Sequence, residues 1–349
     1  MNRWATLLTS VVNGRDLSDA DALWVIETIF RGDATPAQIA GIAVALRAKG
    51  EAVHEVRTFA EALLAHAPPV SVSREALDIV GTGGDSAHTV NISTMAAVAA
   101  AATGQLVVKH GNRAASSRCG TADVLEQLGI AIDLDADGVA AVADEVGITF
   151  CFAATFHRSM ANVAAPRREL GIATVFNLLG PLANPARPRY SAVGVADGRR
   201  GELVAEVFLE RGMAALVFHG HDGLDEITVT GNSSIWHNLA GTVEKYELDP
   251  RDLGLTLAPP DSLRGGDVQH NARIVRAVLG AELDGPVRDA VILNAAAGLA
   301  AAGGSPDIHA ALVTGMAAVR SAIDSGRAID LLDRWIDSTR RQHRSTRAG

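Results

Sequence analysis

Apolar and polar positions divide the chain into three regimes. Residues 1 to about 68 read as helical throughout. In "LSDADALWVIETIFRG" Ser18 stands as a cap ahead of apolar residues at helical spacing. "TPAQIAGIAVALRAKG" offers Thr35 as a cap, Pro36 at the first helical position and Gly50 beyond the end. "EAVHEVRTFAEALLAHA" predicts a further helix, and "PPVSVSREA" a linker. From residue 77 the pattern changes. Short strand-like runs, "LDIV", "QLVVKH", "ITFCFA", "YSAVGVA", "AALVFHG" and "TVEKYEL", alternate with helices over 92–103, 121–128, 135–146 and 199–211. That alternation predicts an α/β fold with a mostly parallel central sheet flanked by helices. Residues 157–185 interrupt it with a helix and a loop rich in Pro and Asn. After residue 267 the chain reads as helical again: "HNARIVRAVLG", "GPVRDAVILNAAAGLAAAG" and a long segment from about 306 to 342.

Ligand sites in open α/β sheets lie at the carboxyl ends of the strands. Three such ends carry chemistry here. The first is "GTGGDSAHTVNIST", residues 81–94, after the strand "LDIV". Gly81, Gly83 and Gly84 allow close backbone approach and positive φ. The helix beginning near Asn91 turns unpaired amides and its positive dipole end toward the turn, which makes an anion site. Thr89, Asn91, Ser93 and Thr94 add donors and metal-tolerant oxygens. The dinucleotide signature GxGxxG would need glycine at Ser86, and no Walker Gly-Lys-Ser/Thr is present. An ordinary glycine-containing turn remains the alternative for this segment alone.

The second end is "VVKHGNRAASSRCGTADVLEQLG", where Lys109, His110 and Arg113, then Ser116, Ser117, Gly120 and Thr121, lead into a helix. A solvated charge run is the plainer reading, but it would not follow a Val-Val strand so abruptly. Two phosphate-type loops imply a ligand with phosphates at two ends, or a diphosphate plus a monophosphate. The third end, "HGHDGLDEIT", supplies Asp225 and Glu226. Adjacent carboxylates are more often solvated than functional. Beside two polyanion loops, they suit a magnesium ion shared with substrate phosphates. His219 and His221 lack the further ligands that a zinc site needs.

Bulk composition narrows the class. The chain has 349 residues, 48% apolar and 20% charged, as a globular protein with a large Ala/Val/Leu/Ile core should. A net charge of -9 argues against non-specific nucleic-acid binding. Cys119 and Cys151, the two cysteines, do not read as a disulfide framework. No secretory leader is evident, and no uninterrupted apolar run reaches membrane-spanning length; the run Ala290 to Ala302 contains Asn294. The cytoplasm is the expected location. The basic "STRRQHRSTRAG" reads as a frayed tail.

Four segments together, "GTGGDSAHTVNIST", "KHGNRAASSRCGTADVLEQLG", "RRELGIATVFNLLGPLANPA" and "DGLDEIT", resemble the anthranilate phosphoribosyltransferase family, over roughly residues 15 to 335. Pyrimidine nucleoside phosphorylases share the fold and a similar glycine loop, but "KHGNR" and "FNLLGPLANPA" favour the former. The resemblance implies transfer of phosphoribose from phosphoribosyl diphosphate (PRPP) to the amine of anthranilate, with release of diphosphate. It implies that Gly81, Gly84, Asp85, Thr89, Asn91, Ser93, Thr94, Lys109, His110, Gly111, Asn112, Arg113, Ala114, Ala115, Ser116, Ser117 and Thr121 bind PRPP. Ser93, Asp225 and Glu226 would bind Mg2+, and Asn112 and Arg167 would contact anthranilate. No residue is required to be a general base, and His110 is a candidate. A small helical domain over 1–70, with part of 157–185 packing on it, would join a larger domain over 76–345, in a homodimer. Two positions depart from the family's pattern: Arg158 stands where proline usually follows His157, and Ala173 replaces the arginine of "GIRT". Both lie near the acceptor side, so a paralogue using another aromatic amine is an alternative.

Overall fold

The computed structural model describes residues 3–114 and 118–348. Four helices open the chain: α1 (Arg3–Val12), α2 (Asp19–Phe30), α3 (Pro36–Lys49) and α4 (Val53–Ala65). Their starts follow local chemistry. The Asp21 amide donates to Ser18 Oγ, and Thr35 and Gln38 form a reciprocal capping box ahead of Pro36.

Seven strands form one sheet: β1 (Leu77–Gly81), β2 (Val107–Gly111), β3 (Ile148–Phe152), β4 (Tyr190–Gly194), β5 (Ala214–Gly220), β6 (Ser233–His237) and β7 (Glu244–Leu248). The order is β3-β2-β1-β4-β5-β6-β7. The first five strands are parallel, and β6 and β7 are antiparallel additions. The segment "SSIWH" of β6 is absent from the strands expected above. All five of its residues are buried, and the Ser233 hydroxyl is hidden by accepting the Thr228 amide at 3.1 Å. Such a strand shows neither an apolar run nor alternation.

Between and after the strands come α5 (Ile92–Ala101), α6 (Thr121–Leu128), α7 (Ala136–Val146), α8 (Ala153–Phe156), α9 (Ala161–Leu170), α10 (Val175–Leu182), α11 (Gly201–Glu210), α12 (Val268–Leu279), α13 (Pro286–Gly303), α14 (Ile308–Asp324) and α15 (Arg327–Ala348). The two faces of the sheet lead into two cores. Leu77 and Ile79 of β1 join the core containing α5, α7 and α12–α15, whereas Val80 joins the core shared by α1–α4, α10 and α11. The helical bundle therefore packs on the sheet itself. The alanine and glycine content has a packing role in α13. A Cβ on Gly298 would come within 2.9 Å of Leu77 and Ile79 side-chain atoms, and one on Gly315 within 3.0 Å of Ala296.

Two expectations for the C-terminal region are corrected. The segment 306–342 is two helices, divided at Ser325 and Gly326, the latter with φ of 79°. The basic tail is not frayed: it continues α15 and is docked. Arg340 Nε donates to the Gly129 carbonyl at 2.9 Å, Arg341 pairs with Glu145, and the Ala131 amide donates to Thr339 Oγ1 at 3.2 Å. These partners lie some 200 positions earlier, where a linear reading does not look. Among the described residues no helix is long and apolar enough to cross a membrane.

Candidate active site

The turn after β1 is held in an unusual backbone shape. Gly83 and Gly84 have φ of 67° and 88°, and Ser86 and His88 also sit in the left-handed region at 58° and 53°. Left-handed residues that carry a Cβ cost free energy and persist where the surroundings impose them. Here the segment Leu263–Gly266 lies along the turn: the Val90 amide donates to the Leu263 carbonyl at 3.0 Å, and the Gly265 amide to the His88 carbonyl at 2.8 Å. Gly81 is a glycine for a different reason from the one expected. It is not left-handed; a Cβ there would overlap the Asp225 carboxylate. Gly194, at the end of neighbouring β4, meets the Asp225 backbone in the same way. Two strand ends without side chains thus cradle one acid.

Asp225 and Glu226 are tied to the first turn by backbone donors. The Gly83 amide donates to Asp225 Oδ2 at 2.7 Å, and the Ser93 amide, in the first turn of α5, to Glu226 Oε1 at 3.1 Å. Burial raises both carboxyl pKa values: Asp225 to about 7, with Asp85 adding like-charge repulsion, and Glu226 well above its ordinary range, with Asp225 as its next cause. Neither acid forms an ion pair among the described residues. Asn294, seen in the sequence only as a polar break in an apolar run, fixes the next residue. Its amide donates to the Ile227 carbonyl at 2.8 Å and its oxygen accepts the Ile227 amide at 2.9 Å.

Lys109 is buried beside them. Its ammonium donates to the Ile79 carbonyl and to Ser93 Oγ, the latter at 3.3 Å. Burial lowers its pKa, while Asp78, Glu226 and Asp225 act in the opposite direction. Asp78, pushed up to about 6 by burial, accepts the His110 amide at 3.1 Å and Asn184 Nδ2 at 2.9 Å. Ser93 therefore touches both Lys109 and Glu226, and Gly83 touches Asp225, so three strand ends share one set of contacts. Ser93 Oγ and the two carboxylates form a hard-oxygen donor set suited to magnesium. No group of three or more His, Cys, Asp or Glu among the described residues could hold a metal alone.

The second loop is organised by Asp123. Its carboxylate accepts the Ala114 amide at 3.0 Å, the Gly120 amide at 2.9 Å and Arg113 Nη1 at 2.9 Å. Arg113 also pairs with Glu126 at 2.9 Å and lies over the Phe152 ring, so its charge is engaged within the protein. Asn112 Oδ1 accepts the Arg113 amide at 2.8 Å, Thr94 and Thr121 hydroxyls stand 3.4 Å apart, and Gly111 packs closely on Thr121. Asn91 links this loop to the first, donating to the Cys119 carbonyl at 3.1 Å. Asp85 accepts the Ala87 amide, and Thr89 bridges to Arg264. Ala115, Ser116 and Ser117 lie outside the described residues.

A second polar group surrounds His110. Its Nδ1 bonds the Gly180 carbonyl at 2.9 Å, while His157 Nε2 bonds the Ala183 carbonyl at 2.7 Å. The rings meet edge to face at 5.1 Å. Burial lowers the pKa of His110 to about 3 and of His157 to about 4, so both are neutral near pH 7. A carbonyl partner fixes the protonated nitrogen of each, leaving His110 Nε2 and His157 Nδ1 as buried lone pairs without partners among the described residues. Ser159 Oγ and Thr174 Oγ1 are likewise unpartnered. Buried polar atoms left open in this way suit a ligand. Sequence reasoning did not place His157 or Asn294 in the site, because their roles arise from contacts across the fold. Arg167 lies in the last turn of α9; it is half-buried, its pKa is lowered by burial, and it has no carboxylate partner among the described residues. Among the described residues it shares no hydrogen bond with the first two loops.

Comparisons with known proteins fit this arrangement. Residues 73–329 match the family model described as "Glycosyl transferase family, a/b domain", and residues 5–67 its "helical bundle domain". The chain is 56% identical over 340 residues to an anthranilate phosphoribosyltransferase of Thermobifida fusca, covering 96% of this chain and 97% of that one. It is 53% identical over 343 residues to the enzyme of that name from an Arthrobacter strain, covering 97% of each. The crystal structure of the Thermus thermophilus anthranilate phosphoribosyltransferase superposes with a TM-score of 0.89 at 41% identity, covering 95% of this chain and 99% of that one. A Saccharomyces cerevisiae structure in complex with PRPP and Mg superposes at 0.82, with 27% identity and coverage of 96% and 98%. With the helical-bundle and a/b models both matched and relatives aligned almost end to end, the chain belongs to the anthranilate phosphoribosyltransferases of the glycosyl transferase family.

Proposed function

We propose that this transferase moves the 5-phosphoribosyl group of PRPP to the amine of anthranilate, in tryptophan biosynthesis. The C1–O bond to diphosphate breaks, a C1–N bond forms, and the amine loses a proton. The observation that carries this reading is the connected set in which Gly83 and Ser93 amides hold Asp225 and Glu226 while Lys109 reaches Ser93. Gly81, Gly84, Asp85, Thr89, Asn91, Ser93, Thr94, the run from Lys109 through Ala114, and Thr121 would bind PRPP. Ser93, Asp225 and Glu226 would hold Mg2+, which when bound would neutralise charge on the departing diphosphate. The α5 amides and Lys109 would favour the same charge. Arg113 would exchange its pairing with Asp123 and Glu126 for a phosphate.

Anthranilate's amine is a weak nucleophile, conjugated with its ring. Placement therefore matters more than a strong base. Arg167, half-buried and without a carboxylate partner among the described residues, would dock the anthranilate carboxylate as a bidentate pair, and Asn112 would orient the acceptor. Neutral His110 and His157 offer lone pairs rather than charge.

The division into 1–70 and 76–345, a cytoplasmic location and a homodimer belong to the same proposal. An apolar groove of about 680 Å3 on the bundle, bordered by Val11, Val12, Ala40, Gly41, Val44 and Leu170, supports the homodimer, since Val12 is 72% exposed. Purified protein given PRPP and magnesium should consume anthranilate, read as loss of its fluorescence. No consumption, or phosphorolysis of thymidine instead, would overturn the assignment.

A further inference from the structure

A series of amide hydrogen bonds crosses the floor of the site. At one end is the Gly266 amide, in the segment that lies along the first turn. It donates to Asn271 Oδ1 at 2.8 Å. Asn271 Nδ2 donates to Asn91 Oδ1 at 2.9 Å, and Asn91 Nδ2 donates to the Cys119 carbonyl at 3.1 Å. Asn271 lies on α12 and is buried, 1% exposed. The polarity of the series is fixed from both ends. A backbone amide of Gly266 requires an acceptor from Asn271, and the backbone carbonyl of Cys119 requires a donor from Asn91. Neither side-chain amide can rotate without facing like group to like group. A buried network of this kind is costly to leave half satisfied.

The consequence is geometric. Asn91 is the N-cap of α5, yet its carboxamide caps nothing there; it is spent between Asn271 and Cys119. Cys119 stands one residue before Gly120, whose amide Asp123 holds, and two before Thr121, which meets Thr94. The segment at 263–266 holds His88 and Val90 by backbone bonds, and a Cβ on Gly265 would come within 2.6 Å of the Thr89 carbonyl. Asn271 therefore joins the strap, the first turn and the stem of the second loop.

We propose that Asn271 is a positioning residue that fixes the Asn91 amide and sets the two phosphate-binding loops at one separation, so that PRPP affinity depends on a residue with no place among the substrate contacts. The inference rests on the PRPP reading above. A ligand with charged groups at two ends is sensitive to the spacing of its two holders. An aromatic acceptor docked by Arg167, and met by the second loop through Asn112 alone, is less so.

Titration calorimetry with PRPP and magnesium tests it on the full-length protein. Asn271→Ala should weaken PRPP binding about tenfold, the scale of one buried hydrogen bond of about 1.4 kcal/mol. At saturating PRPP, its anthranilate KM should stay within about twofold of the unaltered protein. In an Asn91→Ala background the same change should cost less than about twofold, since the two residues act as one unit. Asn271→Asp separates positioning from strap packing. It keeps an acceptor for the Gly266 amide but offers no donor to Asn91, so its PRPP affinity should fall as far as that of the alanine variant. If the alanine variant does not fold, the aspartate variant decides. Unaltered PRPP affinity in Asn271→Asp, additive losses with Asn91→Ala, or equal rises in both KM values would overturn the proposal. Failure of the unaltered protein to bind PRPP would instead overturn the functional reading on which it rests.

Discussion

The turn after β1 and the region around His110 and His157 hold polar groups by opposite means. In the turn, backbone amides of Gly83 and Ser93 grip two acids, and glycines make room. Around His110, carbonyls of Gly180 and Ala183 grip two imidazoles, and the remaining lone pairs stay open. The first arrangement gathers charge against its own burial, as the raised pKa values of Asp225 and Glu226 record. The second suppresses charge, with both histidines kept neutral. A polyanion with its metal suits the former, and an uncharged part of a substrate suits the latter.

The widest expected effect breaks the charged side. Asp225→Ala combined with Glu226→Ala should lower kcat/KM by at least about a thousandfold, roughly 4 kcal/mol of barrier. Turnover within tenfold of the unaltered protein would remove the pair from the mechanism. On the acceptor side, Arg167→Ala should raise the anthranilate KM about ten- to a hundredfold, the range of a charged hydrogen-bonded pair, and leave the PRPP KM unchanged. A shift in the PRPP KM alone would move Arg167 to the donor side.

The smallest effect sharpens the contrast in protonation. His157 has a folded pKa of about 4 against an ordinary 6.5, so on acidification the unfolded state takes the proton first. The unaltered protein therefore loses stability as pH falls through that window, and a glutamine does not. The stability deficit of His157→Gln, measured by urea unfolding, should shrink by about 1.4 kcal/mol for each pH unit between these limits. A deficit independent of pH would mean that the imidazole is charged when folded.

The same contrast explains what the sequence discloses. Glycines at 83 and 84, a helix opening at Asn91 and adjacent acids after β5 are local, and local chemistry prints itself as a motif. Helix starts at Ser18 and Thr35 are legible for the same reason. The β6 strand is not, because its serines are buried by partners elsewhere. Nor is the docking of Arg340 on Gly129, or the grip of Asn294 on Ile227, each set by contacts between distant segments. The reason for Gly81 was legible only in part. Its position at a strand end pointed to the site, but the space it yields belongs to a residue that arrives from another strand.

The space left by Gly81 and Gly194 has a corollary for anyone altering this molecule. Where an acid's backbone and carboxylate fill the volume of two absent methyls, the three positions form a single unit of inheritance. Neither glycine tolerates enlargement unless the acid retreats, and a retreating acid leaves an empty slot between two strands. Libraries that randomise this rim one codon at a time will return Gly194 unchanged, because every residue at 225 brings the backbone it abuts, whereas Gly81 can enlarge only together with a change at Asp225.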